Sequence, residues 1–428
     1  MIEMTLDLHI VAAVTVFLVA YGLIVAEKLN RISVALAGAS AMLLMRAISQ
    51  EEAIASVDFN TITLLVGMML IVTVTKRTGV FQYVAIKAAQ IAKGDPWRIM
   101  VLFVLLTAVS SAFLDNVTTV LLVAPVTMVI CDVLALNPIY FLMPEILASN
   151  VGGTATLIGD PPNIMIGGAT DLGFLDFMEN LAPPALIILA VVLVFCRFVY
   201  GRHLTVKEEA KAEIMSMNPD LEISDHRLLV KCLTVLGLVM AGFVFHQMLG
   251  YESATVAMAG AAILMVIADV NPEDLLLEVE WGTIFFFVGL FILVGTLEGL
   301  GVIEFLAGEV VKLTSGDLML TTFTVLWVSA FASAFIDNIP FVATMIPLIK
   351  SIGTLTAMNV TPLWWALALG ACLGGNGSLV GASANVIVAG MVSRTEHPIT
   401  FGGFLKVGFP VMLVSMVVCS FYLWIVYL

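Results

Sequence analysis

The chain is a succession of long apolar runs, each close to the length that a helix needs to cross a membrane. Such a helix takes about 20 apolar residues. Ten runs approach this length, near residues 8–25, 33–49, 60–75, 140–166, 180–200, 229–247, 253–269, 281–297, 362–388 and 405–426. Only 12% of all residues are charged, against about 25% in soluble domains. The pattern predicts an all-α polytopic membrane protein.

Composition and motif content argue against several other classes of protein. The formal net charge of −14 repels nucleic-acid phosphates. The five cysteines and five histidines are scattered without metal-ligand spacing, and the chain has neither an HExxH nor a Walker A motif. We therefore expect no nucleic-acid partner, no catalytic residues, no metal site and no bound cofactor.

The second half of the chain repeats the first at a constant offset of 222 residues. The segment SSAFLDNVTTVLLVAPV from Ser110 falls on ASAFIDNIPFVATMIPL from Ala332, and GGTATLIGDPPN from Gly152 falls on GGNGSLVGASAN from Gly374. Without a gap, 17 of the 59 positions from 110 to 168 are identical to their partners. Chance similarity between apolar segments would not preserve Asp, Asn, Pro and Gly together. The sequence therefore predicts an internal duplication.

Positive charge predicts how the two halves sit in the membrane. Cytoplasmic loops are enriched in Lys and Arg, and the basic residues that follow spans are Lys28, Arg31, Lys76, Arg77, Lys87, Lys93, Arg98, Arg202, Lys207, Lys211, Arg227 and Arg394. Placing them in the cytoplasm puts the N-terminus outside and the polar loop 201–228 inside. Residues 1–200 and 229–428 then form two repeats.

Each repeat has five spans and one further apolar stretch, 98–133 or 320–350, which an Asp-Asn pair splits. We predict that these two stretches are re-entrant hairpins. An odd number of spans inverts the second repeat relative to the first, as in many secondary transporters, whose sites lie where helices break at mid-membrane.

The hairpin tips supply the first group of candidate site residues, which are Asp115, Asn116, Thr118, Thr119, Asp337 and Asn338. A carboxylate in the membrane interior persists only where it faces protein or water. Each Asp could simply cap the helix that follows it. Because both halves keep the residue, we favour a carboxylate that carries a proton or binds a cation, and the two roles are compatible.

The second group lies in two glycine-rich breaks, within the interrupted runs 140–166 and 362–388. Glycine and proline prevent continuous helix there, and unwound backbone at membrane depth must line a cavity or be buried in protein. The candidate ligands are Gly153, Thr154, Thr156, Asp160 and Asn163 in the first break, and Gly375, Asn376, Ser378 and Asn385 in the second. Asp160 precedes Pro161-Pro162 and is expected to be a helix N-cap, or else a proton or ion ligand; its partner position is Ala382.

No Lys or Arg lies in either tip or either break, which favours a neutral or cationic substrate over a dicarboxylate. Cys372 is the one thiol near the predicted site, and packing is its favoured role over that of a ligand.

At these residues the chain resembles the ion transporter superfamily, in its arsenite-permease and P-protein branch. The stretches SAFLDNVTTVLLVAPVT and NVGGTATLIGDPPNIMIGG resemble that branch closely, and their repeats in the second half fit it too. Dicarboxylate transporters of the superfamily carry Ser-Asn-Thr at the tips, whereas this chain has Asp115-Asn116-Val117 and Asp337-Asn338-Ile339.

The resemblance implies an arsenite and antimonite exporter in a bacterial inner membrane, driven by the proton motive force. It also implies a homodimer and, in some members, a separate soluble ATPase stimulated by arsenite. Two alternatives remain open, which are a Na⁺/H⁺ antiporter of the NhaD type and, with less support, an organic anion transporter.

Overall fold

The described part of the first half contains ten α-helices. The computed structural model describes residues 8–26 and 28–428, and no strand occurs among them. The helices are α1 (Leu8–Val25), α2 (Arg31–Leu44), α3 (Gln50–Ala55), α4 (Phe59–Lys76), α5 (Val80–Ile91), α6 (Pro96–Phe113), α7 (Asn116–Leu134), α8 (Ile139–Thr154), α9 (Pro161–Gly168) and α10 (Phe174–Tyr200).

A polar linker follows and lies against the first half. It contains α11 (Glu208–Ser216). The Gln90 side-chain amide donates to the Met217 carbonyl at 2.7 Å, and the Ser224 amide donates to the Thr78 carbonyl at 3.1 Å. The linker ends at Asp225, which caps the next helix. Its carboxylate accepts hydrogen bonds from the backbone N–H groups of Arg227 and Leu228, and these bonds hold the pKa of Asp225 below its usual range.

The second half again consists of ten helices. They are α12 (His226–Leu249), α13 (Ser253–Ile267), α14 (Pro272–Leu277), α15 (Trp281–Gly299), α16 (Val302–Leu313), α17 (Leu318–Phe335), α18 (Asn338–Thr356), α19 (Thr361–Gly374), α20 (Ser383–Val392) and α21 (Phe401–Tyr427). The helices α17 and α18 begin and end 222 residues after α6 and α7. The same offset relates the N-caps Asp95 and Asp317 and the left-handed residues Ala135 and Ala357.

Cross-packing between the halves joins them into one body. Helix α2 packs on α15, and its repeat partner α13 packs on α4. A Cβ added at Gly67 would lie 2.8 Å from the Ala257 carbonyl carbon, and one at Gly289 would lie 2.8 Å from the Ala35 carbonyl carbon. These two pairs are again 222 residues apart, so the repeats bury equivalent surfaces against each other.

Related helices run in opposite directions. Arg77 follows the end of α4, and its Nη2 lies 2.5 Å from Oε1 of Glu278, which precedes the start of α15. At the other ends of the same helices, Asp58 before α4 and Glu298 at the end of α15 line one cavity. The C-terminal end of α4 therefore lies beside the N-terminal end of its repeat partner, as inverted repeats require.

The lengths of the helices fit a multi-pass membrane protein. Ten helices in the described residues are long and apolar enough to cross a membrane. Large apolar side chains such as Phe198, Met248 and Val266 are 79%, 83% and 83% exposed at the surface of the protein. Such exposure is expected for groups that face lipid. The prediction of an all-α polytopic fold is confirmed. The arms of the two hairpins have 18 or 19 residues and are among these ten helices.

Candidate functional site

The two hairpin tips open helices with aspartate caps. Between α6 and α7, Asp115 accepts the Thr118 backbone N–H at 2.8 Å and also the Thr118 hydroxyl. Between α17 and α18, Asp337 accepts the Ile339 backbone N–H at 3.1 Å. The capping interpretation therefore holds at both tips. Capping uses lone pairs of each carboxylate and leaves its charge uncompensated unless another group supplies a counter-charge.

The asparagines of the two breaks hold the unwound backbone in place. The Asn163 amide donates to the carbonyls of Thr154 at 3.0 Å and Thr156 at 2.8 Å. Its repeat partner Asn385 donates to the carbonyls of Gly375 at 2.8 Å and Ser378 at 2.9 Å. The donor hydrogens of these amides are thus used inside the protein, which makes these two residues supports of the site.

The hydroxyl groups predicted as ligands fall into two sets, one hydrogen-bonded inside the protein and one without a partner. The Thr154 hydroxyl donates to the Asn150 carbonyl at 2.7 Å, and the Thr156 hydroxyl donates to the Ala112 carbonyl. The hydroxyls of Thr119 and Ser378, by contrast, are buried without a hydrogen-bond partner. Buried polar groups are usually paired, so these two hydroxyls are exceptions among the candidate residues.

A buried asparagine that the sequence analysis missed joins the two halves. The Asn116 amide donates to Oδ1 of Asn150 at 3.1 Å, and Nδ2 of Asn150 donates to Oδ1 of Asn376 at 2.9 Å and of Asn385 at 3.0 Å. Asn150 therefore connects one tip, its own broken helix and the break of the other half. Its repeat position is Cys372, so the repeat alignment did not highlight it; an asparagine inside an apolar run was the available signal.

Two serines, also missed, clamp the hairpins to the broken helices. The Ser111 hydroxyl donates to the Ser149 carbonyl at 2.6 Å, and the Ser333 hydroxyl donates to the Ala371 carbonyl at 2.6 Å. Both pairs keep the offset of 222. Glycine lets α8 approach α6 closely enough for the first of these hydrogen bonds. A Cβ at Gly152 would lie 2.1 Å from the Ala108 carbonyl oxygen.

Asp160 differs from the tip aspartates because its side chain does not cap the helix that follows it. It occupies the N-cap position of α9, but its side chain accepts no capping hydrogen bond, because Pro161 and Pro162 have no N–H to offer. Instead Oδ1 accepts the Asn338 amide from the opposite tip at 3.3 Å. The other oxygen, Oδ2, makes no hydrogen bond of ordinary geometry, the Cys372 thiol of the opposite half lies beside the carboxylate, and the residue is 1% exposed. The structure therefore shows no side-chain capping by Asp160, and the proton or ion role stays a prediction.

A cation reaches one tip from a distant helix. Nη1 of Arg31, the first residue of α2, lies 2.7 Å from Oδ2 of Asp337. Both residues line a cavity of about 280 Å³ together with Ser383 at the start of α20. The sequence analysis correctly found no basic residue within the tips and breaks, but it could not foresee this contact across 306 positions of chain.

A second cavity lies at the other end of the helices. It has a volume of about 500 Å³ and is lined by Asp58, Gly168, Glu298 and Lys350 among others. The first cavity borders α20 at Ser383 and the second borders α9 at Gly168, so each broken helix lines one of the two cavities.

Two further buried groups lie near the site. The Cys372 thiol is 3.6 Å from Oδ1 of Asn163 and completes the contacts of that amide. Glu145, on α8, is 2% exposed and accepts the Thr127 hydroxyl at 2.7 Å. Within the described residues, no group of three or more His, Cys, Asp or Glu side chains could hold a metal ion.

The sequence profile of a family described as "Citrate transporter" matches residues 21–370. The chain belongs to this citrate transporter family. The family lies in the ion transporter superfamily, so the resemblance stated from the tip and break motifs is confirmed at that level. The protein is accordingly a multi-pass membrane transporter.

Similar proteins span the whole chain. An uncharacterised transporter of Mycobacterium tuberculosis is 46% identical over 424 residues, covering 97% of this chain and 98% of the relative. The 46 kDa membrane protein of Mycobacterium leprae is 43% identical over 424 residues, covering 98% and 99%. The P protein of Homo sapiens is 33% identical over 503 residues, covering 98% of this chain and 60% of that protein.

Among solved structures, the YdaH transporter of Alcanivorax borkumensis is similar with a TM-score of 0.61 and covers 98% of both chains. The sequences are 12% identical, so this likeness concerns the fold alone.

Proposed function

We propose that the protein exports arsenite and antimonite across a bacterial inner membrane in exchange for protons. The observation that carries the proposal is that two carboxylates of the site lack an ion-pair partner. Asp115 and Asp160 lie at the tip and break of the first half, and neither has an ion-pair partner in the described part of the chain. Carboxylates without a counter-ion in a low-dielectric site gain most from binding a proton or a cation.

Arsenite is chemically suited to such a site. At neutral pH it is the uncharged trihydroxide As(OH)₃, whose hydroxyl groups both donate and accept hydrogen bonds. Oδ2 of Asp160 can accept from it, while the unpartnered hydroxyls of Thr119 and Ser378 can donate to it or accept from it. Protonating Asp160 removes a strong acceptor, so proton binding and arsenite binding compete. Competition of this kind couples the two fluxes in opposite directions.

The two cavities supply the access routes in this proposal. The positive-inside rule orients the chain with its N-terminus outside and the linker in the cytoplasm. The cavity of about 280 Å³ beside Arg31 then faces the cytoplasm, and the cavity of about 500 Å³ beside Asp58 faces outside. Alternating access opens one route while the cross-packed repeats close the other.

Na⁺/H⁺ exchange is the second candidate, and one observation favours it. The free Oδ2 of Asp160 adjoins unwound backbone, and carboxylate and carbonyl oxygens are ligands that hard cations prefer. An organic anion such as the citrate in the family's description has less support. The one basic group at the site, Arg31, already pairs with Asp337, and the carboxylates of Asp115 and Asp160 repel anions.

Everted membrane vesicles that contain the protein can separate these functions. We expect respiration to drive arsenite uptake that an uncoupler abolishes and that continues when ATP is depleted, which excludes dependence on a partner ATPase. Parallel samples receive Na⁺ or Li⁺, with collapse of the pH gradient as the readout, or labelled citrate. Cation-induced collapse without arsenite uptake would establish the antiporter instead, and citrate transport alone would overturn both proposals.

A further inference from the structure

The two tip aspartates are equivalent in sequence but not in their surroundings. Oδ2 of Asp337 lies 2.7 Å from Nη1 of Arg31 and accepts the Ser383 hydroxyl at 3.1 Å. The same Arg31 nitrogen donates to the Ser383 oxygen at 3.3 Å. Asp337 therefore lies in a closed triangle with a guanidinium and a hydroxyl, drawn from three different helices.

The first half cannot build this triangle. At the repeat offset, the position of Arg31 corresponds to Ser253, and the position of Ser383 corresponds to Pro161. Within the described residues, the carboxylate of Asp115 has neutral partners alone, which include the Thr118 hydroxyl and the backbone N–H groups of Thr118 and Val117. One tip aspartate has a permanent counter-charge, and the other has none.

Among the described residues, the other groups around Asp337 offer no competing cation. The Arg31 guanidinium lies over the Phe286 ring, 5.2 Å from its centroid, which stabilises the cation in place. The remaining titratable groups within electrostatic reach of the pair are the Tyr21 phenol of α1, the Asp160 carboxyl and the Glu280 carboxyl before α15. All three are neutral or negative, so Arg31 is the group that determines the charge balance of Asp337.

We propose that Arg31 is a positioning residue that neutralises Asp337 without a proton, so that the first-half carboxylates Asp115 and Asp160 alone carry the exchanged protons. The inferred duplication thus gave two tip aspartates. In this proposal Asp337 stays ionised and links α2 and α20 to the second tip through Arg31 and Ser383. The transport consequence rests on the proposed function; the charge of Asp337 does not.

Infrared difference spectroscopy on the purified full-length protein tests the charge directly. The C=O stretch of a protonated carboxyl group is followed between about pH 4 and pH 8, a range that covers ordinary and burial-raised carboxyl titrations. In Arg31→Gln, Asp337 loses its counter-charge, and we expect a new protonated-carboxyl band. The band should be absent in the wild type, in Arg31→Lys and in the double variant Arg31→Gln/Asp337→Asn.

Two results would overturn the proposal. One is a protonated-carboxyl band in the wild type that Asp337→Asn removes. The other is the absence of a new band in Arg31→Gln. A merely structural ion pair would also release a protonatable Asp337 when Arg31 is removed, so the proton stoichiometry of transport, and not the band, separates the two roles. The double variant, which leaves neither charge unpaired, guards against a result due to misfolding.

A transport measurement adds the functional consequence. In proteoliposomes, the arsenite gradient that a known pH gradient sustains gives the number of protons exchanged per arsenite. Arg31→Gln should raise that number by one relative to the wild type, and the double variant should restore it. If the wild type moves no arsenite, the proposed function fails, while the infrared result still decides the role of Arg31.

Discussion

At the residue scale, the function depends on positions where the two repeats differ. Asp160 faces Ala382 in the alignment, Asn150 faces Cys372 and Arg31 faces Ser253. The residues that the repeats share, such as Asn163 and Asn385, instead hold the broken backbone in shape. Shared residues therefore build the scaffold of the site and its two tip carboxylates, and unshared ones make the two halves differ in charge and hydrogen bonding.

Asp160→Asn should abolish proton coupling while leaving the fold intact. The amide keeps the size of the side chain and can still accept from Asn338, but it cannot bind or release a proton. We expect arsenite uptake to fall by about tenfold or more, as the loss of a charged hydrogen bond implies. Asp132→Asn, at the exposed end of α7, is the matched control and should stay within about twofold of wild type. Equal uptake by the two variants would remove Asp160 from the mechanism.

Asn150→Ala should lower the stability of the protein more than most polar substitutions. The change leaves the buried amide of Asn116 and the amide oxygens of Asn376 and Asn385 without their partner. Each unsatisfied buried group costs about 1–3 kcal/mol, so the melting temperature in detergent should drop by several degrees. Asn60→Ala, at an exposed position, serves as the control. A melting temperature equal to that of the control would contradict the bridging role.

At the element scale, much of the architecture was predictable from the sequence. The long runs and the split stretches appear as helices such as α1, α4, α6 and α7 and their repeat partners. The glycine-rich breaks appear as the gaps between α8 and α9 and between α19 and α20. These features were predictable because apolar length, Asp caps, Gly and Pro are local signals. Short helices such as α5 and α16 were not predicted, since twelve residues are too few to register as spans. The Arg31–Asp337 contact was missed because no local pattern encodes which distant helices meet.

Helix α8 approaches α6 so closely that glycine is required at the contact. Gly152→Ala would place a Cβ 2.1 Å from the Ala108 carbonyl oxygen. Both groups belong to packed helices, so the backbones must separate, and we expect a loss of about 1–3 kcal/mol or more. Gly237→Ala in α12 meets no atom within 4 Å and should be neutral or slightly stabilising. Comparable melting temperatures for the two variants would show that the α6–α8 contact is looser than the geometry indicates.

At the scale of the whole molecule, the two halves are held together by packing and not by the linker alone. Helices α2 and α4 contact α15 and α13 of the other half, and the Asn150 network crosses the same boundary. The predicted duplication of a unit with an odd number of spans would make such contacts recur with opposite direction.

Cleaving the linker should therefore leave one functional body. A protease site inserted between Lys207 and Glu208, both exposed, permits cleavage of the purified protein in detergent. We expect the two fragments to co-elute in size-exclusion chromatography and the cleaved protein to retain its melting temperature within a few degrees. Insertion of the same site into the α4–α5 connection, with cleavage there, provides a comparison inside one half. Separation of the linker-cleaved halves would contradict the interlocked arrangement.

Arsenite-driven proton movement in proteoliposomes of the purified protein tests the central claim most directly. A pH-sensitive dye trapped inside the vesicles reports the lumen while arsenite is added outside, with no other energy source present. We predict that an arsenite gradient drives protons out of the lumen in the wild type and in Asp132→Asn, and that Asp160→Asn gives no signal. Arsenite entry with no change in lumenal pH, or a proton signal that survives in Asp160→Asn, would contradict proton-coupled exchange at this site.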